Sequence, residues 1–105
     1  MLKVYTAMID VLSQLRPVLV QIEGHDRDLG KQLRRASTSV ALNIAEGAGS
    51  ARGSRRARFT TALGSARETG ACLDVAIALG YVEQVDRKLL SRLDEVRAML
   101  ATLVR

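Results

Sequence analysis

Between Val4 and Ile22 the apolar side chains Val4, Met8, Val11, Leu15, Val18 and Ile22 recur at intervals of 4-3-4-3-4. That interval winds them onto one seam of an α-helix and is incompatible with a strand, whose faces alternate at every second residue. A helix with one apolar seam has to bury it against further helical faces. Three follow in the sequence. Leu29, Leu33, Ala36, Val40 and Ile44 point inward from a helix over about residues 28–46, and Phe59, Ala62, Leu63, Ala66, Leu73 and Ile77 from one over about 55–79. Leu89, Leu93, Val96, Leu100 and Leu103 form the seam of a fourth helix that begins near Asp86.

Punctuation between the seams fits the same plan. Gly24 ends the first helix, and Asp26 or Asp28 caps the second. Gly47 and Gly49 stop the second, the segment AGSARGS forms a joint, and Ser54 supplies an N-cap for the third. Gly80 provides the next C-cap; Glu83 and Asp86 in the fourth helix's first turn, and Arg105 at its end, suit its dipole. Pro17 lies inside the first pattern and should kink or break that helix near Arg16. Small residues at four-residue spacing (Ser37, Ala41, Ala45 and Ala62, Ala66, Gly70) allow close approach of the second and third helices. The expected fold is all-α: one domain over residues 1–105, an antiparallel up-down-up-down four-helix bundle with helix 3 longest. A second stripe on helix 1, Tyr5, Ile9, Leu12 and Leu19, exceeds what one bundle needs and calls for a neighbouring subunit, so a homo-oligomer is expected.

Several function classes drop out. Cys72 is the single cysteine, so an intrachain disulfide is impossible and a reducing, cytoplasmic setting is expected. The N-terminal segment carries Asp10 and lacks a secretory layout, and no apolar run approaches the roughly 18 residues of a membrane span, so no membrane partner is expected. His25 and Cys72 fall on different elements and make neither a metal site nor a Cys–His pair. With no phosphate loop, dinucleotide fingerprint or Ser–His–Asp set, neither an enzyme nor a cofactor is expected.

Charge is distributed unevenly. Between Gly24 and Phe59 lie eight basic residues and three acids, a surplus equal to the chain's whole net charge of +5. Arg52, Arg55, Arg56 and Arg58 crowd the joint and the start of helix 3, where cations work against the helix dipole. Phosphate contact through arginine forks and free helix amides is one reading; a solvated loop is the other. Tyr5, Phe59 and Tyr81 read as core or helix-end residues, which leaves no aromatic platform for base stacking. Arg34, Arg35, Asn43, Glu46 and Glu68 lie close to the expected core stripes. They read either as a ligand site or as a polar network tying helix 2 to helix 3 or one subunit to the next. The network is favoured, because polar groups within bundles specify register and partner.

The segments QLRRA (Gln32–Ala36), LNIAEG (Leu42–Gly47), Phe59 opening helix 3, ALGSARE (Ala62–Glu68) and LGYV (Leu79–Val82) together resemble the four-helix bundle proteins, or 23S ribosomal RNA intervening-sequence proteins. The likeness is strongest over helices 2 and 3; Pro17 and the arginine-rich 52–58 joint depart from common members. The family is related to the accessory variability protein of diversity-generating retroelements, a barrel-like homopentamer that binds a reverse transcriptase and contacts nucleic acid through a basic surface. The resemblance therefore implies a ring-like homopentamer and a non-enzymatic, basic adaptor for RNA or DNA through the phosphate backbone. It also implies a reverse transcriptase or RNA-processing partner. The alternative is a protein–protein interaction scaffold with no nucleic-acid role.

Overall fold

Residues 2–105 are described by a computed structural model. They form α1 (Lys3–His25), α2 (Arg27–Ala48), α3 (Arg52–Ala78) and α4 (Arg87–Leu103), with no strand among the described residues. Each helix packs on two others: α1 on α2 and α4, and α3 on α2 and α4. The seams meet in one core in which Met8, Leu15, Ile22, Leu33, Ile44, Phe59, Leu73, Leu89, Leu93 and Leu100 are fully buried. Each such side chain contributes about 1.5–3 kcal/mol through removal from water. The α2–α3 contact is the most extensive. Small residues are part of the reason: Ser37, Ala41, Ala62 and Ala66 are all buried, and the Ser37 hydroxyl donates to the Leu33 carbonyl at 2.8 Å, so no polar atom is stranded. Ala45, in contrast, is exposed and lies off that contact.

Pro17 does not break α1. Its missing N–H would have bonded the Ser13 carbonyl, and both residues face solvent, where water takes that acceptor. Nor does Gly24 end the helix; α1 runs to His25 and Asp26 alone forms the joint. The Asp26 N–H donates to the Ile22 carbonyl at 2.8 Å, while its Oδ1 accepts the Leu29 N–H at 2.9 Å and caps α2. Its second oxygen accepts the Tyr81 hydroxyl at 3.1 Å, and the Tyr81 ring stacks on His25 at 5.3 Å. The α3–α4 connection is thereby fastened to the α1–α2 joint. Gly80, at φ +76°, supplies the left-handed residue just past the Leu79 C-cap, and the Tyr81 N–H reaches the Ala76 carbonyl at 2.9 Å.

Three further expectations change. Gly47 does not stop α2; it lies buried within it, and Gly49 is the C-cap. Ser54 is not an N-cap: the Arg55 N–H donates to the Ala51 carbonyl at 2.8 Å, closing a turn that places Ser54 inside α3. Asp86 caps α4 through the Lys88 N–H at 2.8 Å, which leaves Glu83 in the preceding loop. Ile77 and Leu103, expected inside, are 38% and 37% exposed because they sit at helix ends where the bundle no longer covers them. Leu29 and Val18 are only half-buried.

The second stripe of α1 is mostly used within the bundle itself. Leu19 belongs to the core, Tyr5 and Leu12 pack against it, and Ile9 alone of the four is strongly exposed. With neighbours on two sides, α2 and α4, α1 needs a broader apolar face than a single seam.

Candidate nucleic-acid interface

The first two turns of α3 carry Arg52, Arg55, Arg56 and Arg58. Positions 52, 55 and 56 stand at i, i+3 and i+4 and share a helix face; position 58 turns away. The structure follows that division. Arg52, Arg55 and Arg56, with Gly53, Phe59, Leu103 and Arg105, line a hollow of about 700 Å³. Arg58 reaches across to α2, with Nη1 donating to Asn43 Oδ1 at 3.5 Å and Nη2 lying 3.9 Å from Glu46 Oε2.

Two of the lining arginines are held in place. Arg56 Nε donates to the Val104 carbonyl at 2.9 Å, which ties α3 to the end of α4 and leaves its terminal nitrogens unused. The Arg55 guanidinium lies over the Phe59 ring, 5.5 Å from its centre, a cation–π contact that leaves the guanidinium edge free. Ala51 offers no side-chain cap to α3, and the helix has no acid in its first turn, so its leading amides face the arginines unneutralised. Arg105 was missed in the sequence, where it registered only as a favourable end to helix 4. Its place in the hollow depends on α4 ending beside the start of α3.

The five polar residues associated with the central segment do not form one site. The buried stripe of α2 is Leu33, Ala36, Ser37, Val40, Ala41, Ile44 and Gly47, and the polar residues flank it. Arg34, Arg35, Glu46 and Glu68 are exposed and Asn43 half-buried, which corrects the expectation that they crowd the core. Asn43 Nδ2 donates to the Ser39 carbonyl at 2.9 Å and to its hydroxyl at 3.1 Å, and that hydroxyl meets Ser65 Oγ at 2.9 Å. Gln32 Nε2 donates to Glu68 at 3.4 Å, so α2 and α3 are stitched along one edge by Ser39–Ser65, Gln32–Glu68 and Asn43/Glu46–Arg58. Arg34 instead pairs with Glu23 of α1 at 3.1 Å, and Arg35 has no side-chain bond among the described residues.

Other chemistry-bearing groups are quiet. Cys72 is buried, and its thiol is pushed up by that burial and by the Glu68 charge. Among the described residues no three His, Cys, Asp or Glu side chains gather as metal ligands, and no helix is long and apolar enough to cross a membrane.

Residues 1–102 match the family model described as 23S rRNA-intervening sequence protein. The chain belongs to that family. The 23S rRNA-intervening sequence fold is also present in the crystal structure of a protein of unknown function from the S23 ribosomal protein family of Bacteroides thetaiotaomicron. The two superpose with a TM-score of 0.83 at 19% identity, over 97% of this chain and 98% of the other. At that identity the likeness speaks to fold alone. No curated protein matches the sequence.

Proposed function

We propose that this 23S rRNA-intervening sequence protein is a non-enzymatic nucleic-acid-binding adaptor that grips phosphate groups of RNA or DNA at one end of its bundle. The observation that carries the reading is the hollow at the start of α3, where Arg52, Arg55, Arg56 and Arg105 converge with no carboxylate among the lining residues. Arginine forks match phosphate oxygens bidentately, and the uncapped helix start adds amide donors. In this reading the helices run antiparallel, up-down-up-down. The Arg56–Val104 bond at one end and the Tyr81–Asp26 bond at the other favour that order. Exposed Ile9, Val20 and Leu42 on α1 and α2 favour assembly into a homo-oligomer, for which the resemblance suggests a pentameric ring. Repeating the hollow in every subunit would let weak phosphate contacts add by multivalency.

The test is a triple substitution of Arg52, Arg55 and Arg56 to Gln, followed by salt-titrated binding and a thermal melt. Affinity should fall alike for all sequences, and the slope of log affinity against log salt should flatten by about one unit per lost contact on duplex DNA, less on single strands. The melt should change little, because all three side chains lie outside the core. Unchanged affinity with an unchanged melt would transfer the assignment to a protein-interaction scaffold.

A further inference from the structure

Two further polar hollows on the bundle carry their own counter-charges. One sets Glu23 and Asp28 among Arg27, Lys31 and Arg34; the other sets Asp86 against Arg87. The hollow at the start of α3 differs. Its charged lining is Arg52, Arg55, Arg56 and Arg105, and among the described residues none of these four forms an ion pair with a carboxylate side chain. Arginine does not shed its charge in proteins, so the balancing charge must come from outside. The nearest acid on α2, Glu46, faces Arg58 instead, and Lys3 of α1 lines the adjoining apolar hollow with Leu103.

The arrangement of these charges also matters. A protein that follows a strand lays its cations along a groove, one after another, to meet phosphodiesters that each carry a single charge. Here four guanidiniums surround one hollow, with Phe59 and Leu103 among the residues lining it. Such convergence suits a single compact group bearing more than one charge.

The geometry points to a terminal phosphomonoester of a nucleic acid as the group this hollow takes, in preference to an internal phosphodiester. The inference rests on the nucleic-acid reading above and narrows it to the end of a strand. A phosphomonoester carries about −1.5 to −2 at neutral pH and presents three acceptor oxygens. Arg56 has spent only its Nε on Val104, and Arg55 only its face on Phe59, so both retain in-plane donors for those oxygens. Arg52 and Arg105 supply the remaining charge from exposed positions.

The experiment compares one single-stranded RNA in three forms, with a 5′-phosphate, with a 3′-phosphate and with hydroxyls at both ends, each with an internal fluorophore for anisotropy. At least one phosphate-ended form should bind roughly tenfold tighter than the hydroxyl-ended form, the worth of one or two added charge-assisted hydrogen bonds. Which form it is distinguishes the two ends. Arg52→Gln and Arg105→Gln should each pull that ratio towards unity. Arg87→Gln, which removes the same charge about 25 Å away along α4, should leave it unchanged. Equal affinity for all three RNAs would overturn the inference, and salt-dependent binding in the same data would leave the nucleic-acid reading standing. A preference that survives both arginine variants would place the end-binding group elsewhere and overturn it too. No binding of any form at low salt would remove both readings together.

Discussion

Gly47 of α2 lies directly against the ring of Phe59 of α3: an ideal Cβ on Gly47 would stand 2.6 Å from one ring carbon and 2.8 Å from another. The ring cannot withdraw, because Phe59 is itself fully buried. Close approach of the two helices at the end nearest the arginine hollow therefore depends on a missing side chain. Gly47→Ala should destabilise the protein by about 1–3 kcal/mol through overpacking, more than offsetting the roughly 0.5–1 kcal/mol that alanine gains within a helix. Gly64, exposed in the middle of α3, has nothing within 4 Å of the same ideal atom. Gly64→Ala should accordingly raise stability by about 0.5–1 kcal/mol. Urea denaturation of the two variants checks both signs, and a gain at Gly47 equal to that at Gly64 would defeat the packing account.

At the far end, Tyr81 should titrate abnormally. Its hydroxyl donates to Asp26, and that hydrogen bond, with some burial and the Asp26 charge, holds the phenol above its ordinary pKa. A group raised on folding stabilises the native state fully below its unfolded pKa, about 10 for tyrosine, and loses that contribution as pH climbs through the folded value. In a Tyr5→Phe background, where Tyr81 is the remaining phenol, Asp26→Asn should lower the phenolate midpoint seen by absorbance. Asparagine still caps α2, so the fold should persist. A midpoint that Asp26→Asn leaves in place would mean the bond does not govern the titration.

Those two sites also mark where the sequence was legible. The four seams, the Asp26 cap and the greater length of helix 3 followed from periodicity and capping chemistry, which are local. Gly47 was read as a stop because a glycine near a helix end is ambiguous from sequence alone. Only the position of Phe59, on another helix, makes it a packing residue. Arg58 was grouped with its neighbours by proximity along the chain, although helical phase alone separates it from Arg52, Arg55 and Arg56. Arg105 could be assigned to the hollow only once the end of α4 was placed beside the start of α3. Leu19 was assigned to a subunit interface because one seam was counted for α1, which in fact serves two neighbours.

That last point separates stability from assembly in a way experiment can read. Leu19 is 7% exposed and part of the core, whereas Ile9, on the same expected stripe, is 44% exposed. Leu19→Ala should cost about 2–5 kcal/mol by leaving a cavity, whatever the oligomeric state. Ile9→Glu should leave the helical content intact, since exposed substitutions stay within about 0.5 kcal/mol, yet it places a charge on the face proposed to meet a second copy. The measurements are a denaturation curve for Leu19→Ala and light scattering at micromolar concentration for Ile9→Glu and the unaltered protein. The unaltered chain should scatter as an oligomer and Ile9→Glu as a smaller species. A monomer of about 11 kDa for the unaltered chain would end the proposed assembly, and an Ile9→Glu oligomer of unaltered size would take Ile9 out of its interface.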